Sequence, residues 1–149
     1  MLVFSTRDQF SNQFGGERRW LRTLEAINNC SSIRRGASYS VGDSLTYRIT
    51  PASELVTESF VGRRRYHAVI YVVSGALYIC ISKKAGLERT RAYSDLSDTE
   101  LFKGCGQRTR LDAGAIGIVE IDEAYRVLGG DGDVVSLHVT VEGRGFPNK

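Results

Sequence analysis

The chain has 149 residues, with 42% hydrophobic, 25% charged and 9% aromatic side chains, a balance that excludes intrinsic disorder and allows a substantial core. Its formal charge of +3 is carried by sixteen Arg and only four Lys. No apolar run approaches the roughly 20 residues of a membrane helix, so a membrane protein of the helical kind is excluded. Ten Arg against six acids give residues 1–75 a charge of +4, whereas ten basic residues against eleven acids leave 76–149 at −1. Arg clusters at Arg18-Arg19, Arg34-Arg35 and Arg63-Arg64-Arg65, and guanidinium favours two-point contact with carboxylate or phosphate. The length predicts one domain over 1–149. Met1 to Asp8 lacks a basic region followed by an apolar one, so no secretory leader is expected. Cys30, Cys80 and Cys105 are odd in number and far apart, without the spacing of a metal knuckle or redox pair, which points to a reducing, cytoplasmic setting.

Taken in chain order, one helix is predicted, over Glu17–Asn28, where Trp20, Leu24 and Ile27 recur at steps of four and three with Leu21 beside them. The period then changes to two. Leu45, Tyr47 and Ile49 alternate with Ser44, Thr46 and Arg48, and Pro51 breaks the run. A strand is expected over Leu55–Val61. Tyr66 to Val73 is apolar on both faces, as a central strand should be, and Ser74-Gly75 turns the chain. Leu77, Ile79 and Ile81 alternate with Tyr78, Cys80 and Ser82. Lys83 to Gly106 reads as part strand and part loop. Ala115 to Ile121 is a strand, Arg126–Leu128 a short one. Val135, Leu137, Val139 and Val141 alternate with Ser136, His138, Thr140 and Glu142. Many short strands with glycine turns argue for a sandwich or barrel, with the helix packed outside or closing one end.

The segments GASYSVGD (36–43), YHAVIYVVSG (66–75), YSDLSDTELFKG (93–104) and LDAGAIGIVEIDEAY (111–125) resemble successive landmarks of the YhcH/YjgK/YiaL family, which includes the small subunit associated with evolved β-galactosidase. Gly36, Gly42, Asp43, Tyr66, Gly75, Tyr93, Asp98, Gly114, Asp122 and Glu123 carry the likeness. The resemblance implies a mostly β, cupin-like double-stranded β-sandwich or jelly-roll barrel with one N-terminal helix and an internal pocket. It also implies kinship with sugar-handling proteins of the mutarotase kind. The family's polar pocket does not carry over. Val61 and Arg63 stand where the resemblance places Glu and His, Ala68 and Ile70 where it places Asp and Gln, and Tyr125 where it places a second His. On the last strand Ser136 and Thr140 stand where it places Lys. Guanidinium has no lone pair for a cation, so neither metal nor other cofactor is expected.

The residues that remain suggest a different pocket. Arg63 can hold a carboxylate or phosphate through two N–H groups. Tyr66 and Tyr125 offer hydroxyls and flat faces to a sugar or aromatic ring, and Glu120 is expected to pair with Arg63. His138 shares the polar face of the last strand with Ser136 and Thr140, whereas His67 has the opposite parity to Tyr66, Ala68 and Ile70 and should point away from the pocket. Asp95, Asp98 and Glu100 lack the glycine and spaced oxygens of a calcium loop.

The leading expectation is a non-metal, cupin-like binding module, a degenerate relative of sugar-processing proteins that takes a small polar or anionic ligand or a protein partner. Its ligand residues would be Arg63, Tyr66, Glu120, Tyr125 and His138. A second reading is a metal-free sugar mutarotase or isomerase with Glu120, Tyr125 and His138 as its acid–base groups. A third is an Arg-rich regulatory protein binding nucleic acid or an acidic partner, which requires the three Arg clusters to share one exposed face. Open sheet edges suggest a homodimer.

Overall fold

A computed structural model describes the backbone of residues 1–14, 18–28, 38–41 and 45–140. Among these residues, twelve strands build two six-stranded antiparallel sheets. Sheet A contains β1 (Leu2–Phe4), β2 (Ser38–Val41), β3 (Leu45–Pro51), β5 (Tyr66–Val72), β10 (Ile116–Val119) and β12 (Asp133–Thr140), in the order β1-β10-β5-β12-β3-β2. Sheet B contains β4 (Phe60–Gly62), β6 (Ala76–Lys83), β7 (Glu88–Ser94), β8 (Thr99–Lys103), β9 (Gln107–Asp112) and β11 (Glu123–Asp131), in the order β7-β8-β4-β11-β6-β9.

The pairing identifies the architecture. β3 pairs with β12, β4 with β11, β5 with β10 and β6 with β9, while successive strands β3 to β6 alternate between the sheets. A long antiparallel ribbon wound into two facing sheets is a jelly roll, the arrangement of cupin barrels. The mostly β, cupin-like sandwich expected from the sequence is therefore the fold. The β7–β8 hairpin interrupts the ribbon's far end and returns to pair with β4 at the opposite edge of sheet B.

Burial follows the period of two. On β12, Val135, Leu137 and Val139 face outward from sheet A and pack with Val69 of β5 beneath helix α2 (Arg18–Asn28), whose Trp20, Ala26 and Ile27 are buried. The opposite parity, Val134 on β12 with Ile70 and Val72 on β5, meets Leu77, Ile79, Leu111 and Val127 of sheet B to form the core between the sheets. A third group, Phe60, Cys80, Phe102 and Ala124, lies on the outer face of sheet B. At one end the turns at Ser74-Gly75 and Gly132 lie back to back, where a Cβ on Gly75 would come within 2.4 Å of the Asp131 carbonyl. Both glycines take positive φ, +72° and +76°, which the close approach requires.

Several local expectations need correction. There are two helices among the described residues, not one: α1 (Arg7–Phe14) precedes α2. Thr6 and Gln9 start it with a reciprocal cap, the Gln9 N–H donating to Thr6 Oγ1 at 3.2 Å and the Ser5 N–H to Gln9 Oε1 at 2.9 Å. The expected strand 55–61 is instead a 3-10 turn over Ala52–Leu55, an isolated bridge at Val56, and then β4. Pro51 is the last residue of β3, where the alternation was expected to break. The short strand expected at 126–128 is part of the nine-residue β11, whose register shifts between Val127 and Gly129. Glu17, Cys30, Arg34-Arg35, Gly36, Gly42, Asp43 and Val141 lie outside the described residues, as do the side chains of Arg18, Arg19 and Leu21. No helix among the described residues is long and apolar enough to cross a membrane.

Candidate functional site

The core between the sheets changes character towards the end where β5 begins and β12 finishes. On β12 the inward positions run Val134, Ser136, His138, Thr140. Ser136 lies opposite Arg48 of β3 and Ile70 of β5, and His138 opposite Ala68. From sheet B, Arg63 follows β4 and Tyr125 rises from β11. A cavity of about 350 Å³ results, lined by Arg48, Thr50, Glu54, Arg63, Tyr125, Ser136 and His138 among others. An apolar pocket of about 60 Å³ shares Leu55, Tyr125 and Ser136 with it and is floored by Val61, Ile70, Leu77 and Val127.

Arg63 brings a buried, unpartnered nitrogen to the cavity. One Nη donates to the Ser97 and Asp98 carbonyls at 3.3 and 3.4 Å, while Nε is buried without a hydrogen-bond partner among the described residues. A buried donor without an acceptor carries a desolvation cost that a ligand oxygen would relieve. The residue's backbone is held from behind. Asp98, 3% exposed and at φ +50°, accepts the N–H groups of Arg64, Arg65 and Tyr66 at 3.0–3.3 Å and the Tyr93 hydroxyl at 2.5 Å.

Burial pushes the His138 imidazole down to about 4, with the Arg63 charge adding to the shift. His138 is therefore neutral at pH 7, with a ring that can both donate and accept. Burial pushes the Tyr125 hydroxyl up, opposed only weakly by Arg63, so it remains a protonated donor.

The structure brings together three of the five expected ligand residues, Arg63, Tyr125 and His138. Tyr66 and Glu120 lie next door, with Arg63 and Tyr125, in a cleft of about 10 Å³ that also touches Ala68 and Val119. The expected Arg63–Glu120 ion pair is not formed: Arg63 donates to carbonyls instead, because its loop is anchored to the 97–98 backbone. Glu123 is buried and accepts the Glu120 N–H at 2.9 Å and the Met1 ammonium at 2.5 Å. His67 does point away from the cavity, its ring centroid 5.8 Å from that of Trp20 on α2. Arg48 was not singled out in the sequence. Its signal was parity: it shares a face of β3 with Thr50, and the register sets it across from Ser136.

The donor set does not fit a divalent cation. His138 is the only imidazole on the cavity wall, two guanidinium groups add positive charge, and no three His, Cys, Asp or Glu side chains converge among the described residues. No protein-family model matches this chain. A cupin protein from Bacteroides fragilis is similar in structure, at 12% identity over 78% of this chain and 87% of that one, with a TM-score of 0.45. The jelly-roll assignment stands on the strand pairing.

Proposed function

We propose that this protein is a binding module for a small organic anion, held at the mouth of the jelly roll with its charged group between Arg48 and Arg63. The unpartnered, buried Nε of Arg63 is the observation that carries this reading. Ser136, His138 and Tyr125 supply neutral polar contacts, and the 60 Å³ apolar pocket accommodates a short carbon tail. Sugar acids and short carboxylic acids fit this combination. The order of the landmark segments along the chain supports a distant kinship with sugar-processing jelly rolls.

Binding is favoured over catalysis by the titration behaviour of the cavity. General acid–base transfer at neutral pH works best with groups whose pKa lies near 7. Here the histidine is driven down and the tyrosine up. The metal-free mutarotase reading therefore ranks second. The Arg-rich interface reading loses its central cluster as one face, because Arg63 turns into the cavity while Arg64 lies on the outer side of sheet B.

Calorimetric titration with D-gluconate, butyrate and D-glucose tests the proposal. Saturable binding of a carboxylate, weakened about tenfold or more by Arg63→Gln, is the expected result. Absence of carboxylate binding at millimolar concentration, or equal binding by the variant, overturns it. Stoichiometric zinc, copper or nickel binding that protects the fold would also overturn it.

A further inference from the structure

The outer face of sheet B carries a separate cationic hollow that the mouth cavity does not use. Its centre is Glu100 on β8, 2% exposed. Glu100 Oε1 accepts from Arg64 Nη2 at 3.1 Å and from Arg89 Nη1 at 3.4 Å. Its Oε2 accepts from Arg64 Nε at 3.1 Å and from Lys84 Nζ at 2.9 Å. Four donors saturate the lone pairs of one carboxylate. Three cations on one anion leave a formal excess of two positive charges.

The cations are held in place. Arg64 lies over the Tyr93 ring at 4.4 Å, and Lys84 Nζ also donates to the Arg63 carbonyl at 2.7 Å. Holding them does not consume them. Arg64 Nη1 and Arg89 Nη2 have no partner among the described residues, and their side chains are 48% and 53% exposed. They open onto a hollow of about 500 Å³ bounded by Lys84, Ala85, Phe102 and Ile121.

We infer that Arg64, Lys84 and Arg89 form a second anion site, organised by Glu100 and selective for a phosphate monoester. The excess of two charges matches a dianion. Two guanidinium forks and an ammonium match its three terminal oxygens, and Phe102, Ala85 and Ile121 give an apolar wall for the ester group.

The test is titration with phenyl phosphate and inorganic phosphate. Wild-type protein should bind phenyl phosphate saturably, and more tightly between about pH 5 and 7 as the second phosphate proton leaves. Arg89→Gln, on an exposed edge strand, should weaken this binding about tenfold, and should do so equally in an Arg63→Gln background, where the mouth cavity no longer competes for the anion. Addition of phosphate to the wild type should also shift the arginine Nε–H resonances of Arg64 and Arg89, a readout that needs no variant to fold. Absence of saturable binding, static Arg64 and Arg89 resonances, or equal affinity in Arg89→Gln overturns the site. Loss of binding in Arg63→Gln alone overturns it as well, by moving the phosphate to the mouth cavity.

Discussion

Arg63 and Arg64 are neighbours in the chain and end on opposite faces of sheet B. Phe60 and Gly62 face outward and Val61 inward, and the alternation runs on past β4, so that Arg63 enters the space between the sheets and Arg64 stays outside. Outside, Arg64 finds the buried carboxylate of Glu100 and makes a two-point bond. Inside, Arg63 finds two carbonyls at long range and keeps an unpartnered Nε. One residue type is thus fixed by a carboxylate with part of its guanidinium left open in one place, and keeps an unpartnered Nε in the other. The difference is set by which face brings a carboxylate within hydrogen-bond reach.

Asp98 supports both faces, so its removal should have the largest effect. Asp98→Ala strips acceptors from three backbone N–H groups and the Tyr93 hydroxyl. A loss of about 4 kcal/mol in unfolding free energy is expected, because buried donors are left unsatisfied. Chemical denaturation reads it directly. A loss below about 1 kcal/mol would show that the Arg63–Tyr66 segment does not need this anchor.

Glu100 separates the two faces more sharply. Burial alone would raise its carboxyl, but hydrogen bonds from Arg64 and Lys84 hold it down at about 2. Glu100→Gln should cost about 3 kcal/mol, since it leaves three cations around a neutral amide. Arg89→Gln in that background should recover part of the loss by relieving the repulsion. Without such recovery, Arg89 would not belong to the cluster.

The core and its faces were readable because they depend on local period. The outward valines of β12, the doubly apolar β5 and the Trp20–Ile27 stripe of α2 each follow from spacing within one element. β7 was not readable, because its residues are mostly exposed and show no alternation; it exists through pairing with β8. The strand expected at 126–128 was too short because the apolar pattern lapses at a bulge that β11 runs through. The start of α1 is marked in the sequence only by Thr6-x-x-Gln9, a short signal without an apolar stripe behind it. In the site, His138 was legible from strand parity, and Arg63 and Tyr125 from the positions that the family resemblance gives to pocket residues. Arg48 was not, because its place depends on the β3–β12 register across some ninety residues. The roles of Asp98 and Glu100 were hidden for the same reason, since the three N–H donors of Asp98, and Arg64 for Glu100, lie more than thirty residues away.

The two faces should also separate by pH. His138 has its folded-state pKa lowered from 6.5 to about 4. The unfolded chain therefore binds the proton first, and stability present above about pH 6.5 falls as the pH drops towards 4. Between pH 7 and 5 the expected loss is about 2 kcal/mol. Glu100 acts lower, its contribution being lost only from about pH 4.5 towards 2. Denaturation curves of His138→Gln should lack the upper window and keep the lower one. If the variant loses stability between pH 7 and 5 as the wild type does, the imidazole is not buried as described.

The smallest effect on stability belongs to Arg63 itself. Its bonds to the Ser97 and Asp98 carbonyls are long, its Nε is unsatisfied, and its charge bears on the His138 imidazole. Arg63→Gln should change unfolding free energy by less than about 1 kcal/mol in either direction. It should also raise the pKa of His138, because one of the two influences holding it down is removed; an NMR titration of the imidazole reads this. A receptor group differs from a strut in that its removal costs binding and spares the fold. If Arg63→Gln instead unfolds the protein as readily as Glu100→Gln does, the contrast between the two arginines collapses, and the mouth cavity becomes a structural feature of the jelly roll and not a site.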